Sequence, residues 1–148
     1  CMGVFRLQAR SPRSAGLHAG DTDPPGATYP RSITADPDCL FCKRVAGENP
    51  AAVVHETDTT VAFRDLEPQA PTHVLVVPRS HYPNAAALAD GEPDTAAHLF
   101  ATAREIAEQD GLGGGYRLVF NTGADAHQTV FHVHMHVLGG RKMGWPPG

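Results

Sequence analysis

Apolar and polar residues alternate strictly along residues 131–137 of this 148-residue chain. Histidines hold three of the alternate positions and apolar residues hold the others, namely His132, His134 and His136 among Phe131, Val133, Met135 and Val137. Side chains two residues apart lie on the same face of a β-strand. The pattern therefore predicts a strand with one apolar face and one histidine face, the alternative being a surface strand with histidines at chance positions.

Four further runs rich in β-branched residues predict strands at residues 53–56, 61–65, 73–77 and 116–120. A short helix is predicted over residues 40–46. A long helix begins at Asp94, because apolar residues then recur at helical spacing until Gly111. Short links between strands favour antiparallel pairing. The predicted fold is therefore α+β, with a five-stranded antiparallel sheet, one long helix and one short helix.

Composition limits the kind of protein that this can be. Residues 1–35 are rich in proline and small polar residues without apolar periodicity, which predicts an extended or disordered arm before one domain at 36–148. A net charge of −4 and the lack of a basic stripe argue against a nucleic-acid partner. No apolar run is long enough for a membrane span, and residues 1–30 lack the apolar core of a secretory signal. We expect a cytoplasmic protein with no membrane partner.

The histidine face is the candidate for chemistry. Imidazole titrates near neutral pH, acts as a nucleophile when neutral and donates hydrogen bonds when protonated. Three imidazoles on one face therefore suit either metal binding or phosphoryl chemistry.

Four motifs together resemble the histidine triad family, specifically its Hint branch of nucleotide-binding proteins. They are the run Asp65-Leu66-Glu67-Pro68-Gln69-Ala70-Pro71-Thr72-His73, the loop Asn121-Thr122-Gly123 with Gln128-Thr129, the three histidines, and the tail from Val137 to Trp145-Pro146-Pro147-Gly148. The resemblance covers residues 36–148. It implies a homodimer whose two sheets join into one, with a purine-nucleotide pocket on each protomer.

The same resemblance implies an activity and assigns residues to it. The activity is cleavage of the P–N bond of purine nucleoside 5′-phosphoramidates through a covalent nucleotidyl-histidine, with no cofactor needed for catalysis. His134 is the implied nucleophile, His136 donates to a phosphate oxygen, and His73 couples to the nucleophile. His132 completes the catalytic set, and Asp65 resembles the carboxylate that accepts the ribose hydroxyls. The other implied substrate contacts are the loop residues Asn121, Gln128 and Thr129, the base-pocket walls Leu40, Phe41, Phe63 and Leu66, and the tail residue Trp145.

Cys39 and Cys42 indicate a second site. Three cysteines are too few for a disulfide scaffold, and the C-x-x-C spacing suggests a metal or redox pair in a reducing compartment. Two cysteines supply half of a tetrahedral zinc shell, which His81 and His132 can complete, as in many bacterial relatives. Four protein ligands leave no open position, so such a zinc would be structural. Two cysteines packed on a short helix are the alternative.

Other functions stay open at this point. One is a dinucleoside polyphosphate hydrolase or nucleotidylyl transferase of another branch, against which the Trp145-Pro146-Pro147-Gly148 tail argues. Another is a nucleotide-binding regulator or scaffold whose turnover is incidental. His73 and Asp65 also have plainer interpretations, as a structural histidine and as a turn or capping residue. The intact histidine triad favours an enzyme.

Overall fold

The computed structural model describes residues 35–49 and 51–148. The predicted N-terminal arm, apart from residue 35, lies outside the described residues. The helices are α1 (Leu40–Val45), α2 (Ala85–Gly91) and α3 (Pro93–Gln109), with a 3-10 turn at Ala124–Ala126. The strands are β1 (Val53–Glu56), β2 (Thr60–Arg64), β3 (Thr72–Pro78), β4 (Tyr116–Phe120) and β5 (Met135–Gly139).

The five strands form one antiparallel sheet in the order β1-β2-β3-β5-β4. The predicted fold class is thus confirmed. Strand β3 lies at the centre, pairs with β2 and β5, and is buried along its whole length. A continuous apolar run such as Val74–Val77 suits a strand covered on both faces.

The two faces of the sheet have separate cores. On one face, α2 and α3 cover Val74, Val76, Met135 and Val137. On the other face, α1 covers a smaller cluster of buried residues, namely Cys39, Phe41, Cys42, Val61, Phe63, Leu75 and Val77. Because side chains alternate between faces, His134 and His136 share this second face with α1. The histidine chemistry therefore lies on the side of the sheet away from the long helix.

Helix α3 follows the predicted stripe of apolar residues. Pro93 occupies its first turn, where a missing N–H costs little, and Leu99, Ala103 and Ile106 are buried against the sheet. Phe100 is an apolar residue of the same stretch, but it is 53% exposed and packs edge-on against Phe120. Within the described residues, no helix is both long and apolar enough to cross a membrane.

Two local features differ from the sequence prediction. Helix α2 was not predicted, because its sequence is mostly alanine and carries no apolar stripe; its start is fixed by Asn84, whose side chain accepts from the Ala87 N–H. The ladder of β5 begins only at Met135, so His132 and His134 precede it. The alternation nevertheless extends to Val133, before the ladder begins, because Val133 is buried in the core on the α3 side. It does not extend to Phe131, which is exposed.

Candidate active site and metal centre

The three histidines of the triad and His73 form a row under α1. The ring centroids of His134 and His136 are 5.0 Å apart, and those of His73 and His136 are 5.1 Å apart. Phe41 of α1 packs edge-on against both His132 and His134, at 6.1 and 5.1 Å. The short helix therefore covers the His132 and His134 end of the row.

The bonding of His134 leaves one ring nitrogen available. Its Nδ1–H donates to the carbonyl oxygen of His132 at 2.8 Å. A neutral imidazole carries one proton, so the proton on Nδ1 leaves a lone pair on Nε2. Burial lowers the pKa of His134 below that of a free imidazole, which keeps the ring neutral at pH 7. This histidine is thus a neutral nitrogen nucleophile held in one tautomer.

His73 and His136 form a hydrogen-bonded pair of defined polarity. The backbone N–H of Gln69 donates to His73 Nδ1 at 3.0 Å, so the proton of the His73 ring is on Nε2. From there it is donated to His136 Nδ1 at 2.8 Å. His136 therefore carries its own proton on Nε2, and burial lowers its pKa to about 4. The pair acts as a two-histidine relay that presents an N–H donor beside the nucleophile.

Asp65 directly follows β2, at the start of the loop that leads to β3, and its side chain faces His73. Its backbone N–H donates to the His73 carbonyl at 2.9 Å, and its Oδ1 accepts from the Glu67 N–H at 2.8 Å. Its Oδ2 lies 3.4 Å from His73 Nε2. Burial lowers the pKa of His73, and the Asp65 carboxylate opposes that shift only in part. The structure thus places Asp65 against His73, and His73 bonds to His136 rather than to His134.

His132 faces away from the relay, toward the cysteines. Its Nε2–H donates to the Pro78 carbonyl at 3.0 Å, so Nδ1 carries the lone pair. This Nδ1 lies 3.6 Å from Cys39 Sγ, 3.5 Å from Cys42 Sγ and 3.2 Å from His81 Nδ1. Cys42 Sγ lies 3.3 Å from His81 Nδ1. The structure therefore brings the four predicted ligand atoms together.

These distances fit a tetrahedral zinc site. Zn–S bonds of about 2.3 Å and Zn–N bonds of about 2.05 Å at tetrahedral angles separate S from N by about 3.6 Å and N from N by about 3.3 Å. The four separations in the cluster match this pattern to within about 0.3 Å. The Pro78 carbonyl also fixes the His132 tautomer that a metal requires. The donor set suits a closed zinc site with no position for substrate.

A second group of possible ligands, Asp65, His73 and His136, is less suited to a metal, because the tautomer of His73 is wrong for it. Its ligand atoms also lie within 4.8 Å of one another. However, His73 Nε2 could bind a metal only if its proton moved to Nδ1, where it would point at the N–H of Gln69. Two donors would then face each other in a buried place. The Gln69 amide therefore keeps this group as a hydrogen-bonded relay.

The loop before β5 is braced from within. Gln128 accepts from the Gly123 N–H at 2.9 Å and donates to the carbonyls of Pro83 and Val130 at 2.7 and 3.1 Å. Asn121 donates to the Ala126 carbonyl at 2.6 Å. The amide of Gln128 is thus occupied in holding the loop, whereas Thr129 is exposed.

Comparison with known proteins accords with this arrangement. The sequence profile of the HIT domain matches residues 46–143. The chain belongs to the HIT (histidine triad) family. A HIT family hydrolase from Legionella pneumophila is 46% identical, with 75% of this chain and all of that chain covered and a TM-score of 0.72. A 14 kDa zinc-binding protein of Zea mays is 42% identical over 76% of this chain and 90% of its own length. A zinc-bound histidine triad protein from Mycobacterium smegmatis is 34% identical, covering 75% of this chain and 80% of its own, with a TM-score of 0.62.

Of the remaining predicted residues of this HIT domain, two are buried and three are exposed. Phe41 and Phe63 are buried against each other, with ring centroids 5.5 Å apart. Leu40 and Leu66 are exposed, and Trp145 is 84% exposed. Because these exposed side chains are largely apolar, a ligand or a partner that removed them from water would stabilise the contact.

Sequence reasoning did not anticipate the backbone groups that set the histidine tautomers in this HIT site. They are the N–H of Gln69 and the carbonyls of Pro78 and His132. Every residue type supplies such groups, so no side-chain pattern marks them. Gln69 does lie within the motif from Asp65 to His73, and that motif was the only sequence feature that pointed to any of these groups.

Proposed function

We propose that this HIT protein is a nucleoside 5′-phosphoramidate hydrolase that works through a covalent nucleotidyl-His134. The observation that carries the proposal is the lone pair on His134 Nε2, which the Nδ1–H bond to the His132 carbonyl leaves free. A neutral, buried and fixed imidazole suits attack on phosphorus. The hydrolase name of the Legionella relative supports the reaction class.

The reaction has two balanced steps. His134 Nε2 attacks the α-phosphorus, the bond from phosphorus to the substrate amine breaks, and the amine leaves after it takes a proton from solvent. Water then attacks the same phosphorus and returns a proton to solvent, the P–N bond to His134 breaks, and nucleoside monophosphate is released. The N–H of His136 faces this exchange as a donor to a phosphate oxygen, and His73 holds that donor in place.

The predicted pocket supports a purine nucleotide of the Hint type as the substrate. Asp65 lies beside the relay and supplies a carboxylate for the ribose hydroxyls. Thr129, which is exposed after the braced loop, is the proposed hydroxyl donor to the phosphate. Phe41, which packs against His134, is the candidate inner wall for the base. The exposed Trp145 of the tail supports the Hint branch.

We further propose a homodimer joined through β4. This strand forms one edge of the sheet, and its unpaired backbone groups can accept a second copy. Exposed aromatic side chains lie on β4 and near it, at Tyr116 (43% exposed) and Phe100. Sedimentation of the purified protein at micromolar concentration tests this, and a monomer there would contradict it.

The metal centre is proposed to hold one structural zinc through Cys39, Cys42, His81 and His132. Such an ion would tie α1 to the segment before β5 and add to stability. The zinc-binding maize relative and the zinc-bound mycobacterial structure support this metal. Elemental analysis should find about one zinc per chain in the wild type and almost none in Cys42→Ser. A metal-free wild type with two titratable thiols at these cysteines would refute it.

The catalytic proposal is tested with His134→Asn. Asparagine can keep a donor to the His132 carbonyl but supplies no nucleophile, so hydrolysis of an adenosine phosphoramidate should fall by roughly a thousandfold or more. Nucleoside monophosphate should bind within a few-fold of wild type. The exposed His98 of α3 provides a matched control, since His98→Asn should hydrolyse as the wild type does.

Intact-mass measurement after rapid quenching complements the kinetics. The wild type should carry a nucleotidyl adduct that His134→Asn lacks. Activity of the variant within a few-fold of wild type would remove His134 as the nucleophile. Binding without turnover in the wild type would instead favour a nucleotide-binding regulator.

A further inference from the structure

We infer that Arg141 is a positioning residue that fixes the polarity of the His73–His136 relay through the loop at Gln69. The inference rests on the proposed function, in which that relay presents an N–H donor to the phosphate. Arg141 follows β5 and, within the described residues, makes no hydrogen bond to either histidine. Its effect passes through one peptide segment, by a chain of three hydrogen bonds.

The first bond of this chain ties the tail to the loop. Arg141 Nε donates to the Gln69 carbonyl at 3.0 Å, and its guanidinium also donates to the Lys142 carbonyl at 3.1 Å. Gly140, with φ +87°, turns the chain against Pro71: a Cβ on this glycine would lie 2.9 Å from Pro71 Cβ. The segment around Arg141 therefore lies directly on the loop that precedes β3.

The other two bonds carry this constraint to the relay. The N–H of Gln69 donates to His73 Nδ1 at 3.0 Å, and His73 Nε2 donates to His136 Nδ1 at 2.8 Å. The Arg141 and His73 bonds thus hold both backbone groups of the same residue. Gln69 is exposed and lies outside the β-ladder. Within the described part of the chain, its only other hydrogen bond joins its own side chain to the Glu67 carbonyl.

Loss of the arginine should free the backbone at Gln69 to move. The tautomer of His73 would then no longer be fixed. When the Gln69 N–H moves away, the His73 ring can carry its proton on Nδ1. His136 Nδ1 then loses its donor, and the proton of His136 is no longer confined to Nε2. A fraction of the molecules would present a lone pair to the phosphate where a donor is needed.

The direct test reads the tautomer without substrate. Long-range ¹H–¹⁵N correlation spectra of the zinc-loaded protein distinguish protonated from unprotonated ring nitrogens. The wild type should show His73 protonated on Nε2, and Arg141→Ala should show a mixture. Arg141→Lys keeps one donor for the Gln69 carbonyl and should lie between them. Arg117→Ala is the matched control, because Arg117 also binds a tail carbonyl, that of Gly144 at 2.8 Å, without contacting the loop.

Kinetics provide the second measurement. In Arg141→Ala, kcat for an adenosine phosphoramidate should fall on the order of 10-fold, the size found when a residue that orients an active-site histidine is removed, with KM nearly unchanged. If His73 in Arg141→Ala carries its proton on Nε2 alone, as expected for the wild type, the inference is refuted whatever the activity. The inference is also refuted if His73 of the wild-type protein carries its proton on Nδ1. A tautomer change in a protein that does not hydrolyse phosphoramidates would refute the proposed function and leave the positioning role intact.

Discussion

His136 should make the folding stability depend on pH in a way that can be calculated. Burial is the main cause that lowers its pKa to about 4 in the folded protein, with smaller contributions from His134 and His73. In the unfolded chain the pKa returns to about 6.5. Between these values the unfolded state binds more protons than the folded state. The stabilisation is therefore complete above pH 6.5 and is lost as the pH falls toward 4.

The magnitude follows from these two pKa values. Lowering the pH from 7.5 to 5.0 should reduce the free energy of unfolding by about 2 kcal/mol through His136 alone. Replacing it by asparagine removes the titrating ring and keeps an acceptor oxygen for the His73 N–H. The loss of stability between pH 7.5 and 5.0 should therefore be about 2 kcal/mol smaller in His136→Asn than in the wild type.

Urea unfolding at both pH values measures this difference. Both proteins keep the cysteine–histidine cluster, so any effect of pH on metal binding should largely cancel. His98→Asn, at an exposed position on α3, serves as the control and should show the pH dependence of the wild type. Equal losses of stability in His136→Asn and the wild type, within about 0.5 kcal/mol, would refute the view that His136 is desolvated and neutral.

Two further predictions concern the substrate. Asp65→Asn keeps an acceptor for the Glu67 N–H but removes the charge, so ribonucleotide affinity should fall by about 1 to 3 kcal/mol in binding titrations. Discrimination against 2′-deoxy substrates should fall with it, and unchanged discrimination would remove Asp65 from the ribose site. Trp145→Ala should leave the free energy of unfolding within about 0.5 kcal/mol of wild type, because the side chain is 84% exposed, and should change the preference for the leaving amine. A large drop in melting temperature with unaltered preference would contradict that role.

The histidine strand was predictable because its hydrophobic pattern has a period of two. Val133, Met135 and Val137 are buried on the α3 side, as their alternation with histidine requires. The start of the β5 ladder at Met135 was not predictable, because pairing depends on where β3 and β4 lie in space. Helix α2 escaped prediction for a related reason: packing of Leu88 stabilises it, and one buried residue makes no periodic signal.

The cysteine–histidine cluster was predictable for a different reason. The C-x-x-C spacing of Cys39 and Cys42 is local, and His81 and His132 are available to complete four ligands. The structure brings these four together as expected. It also shows a second cluster that composition alone would rank equally, at Asp65, His73 and His136. Residue types cannot separate the two clusters, because both contain histidines and anionic or thiol ligands.

Backbone partners separate them. Where a carbonyl accepts from one ring nitrogen, the other keeps its lone pair; this holds for His132, bound to Pro78, and for His134, bound to the His132 carbonyl. Where an amide donates instead, as Gln69 does to His73, the other nitrogen must be a donor. One residue type can thus supply a metal ligand, a nucleophile or a hydrogen-bond donor, according to its backbone partner. Moreover, His132 offers its ring to the cysteines and its carbonyl to His134, so a disturbance of the cysteine–histidine cluster that turns this residue would also displace the acceptor that holds the proposed nucleophile in its tautomer.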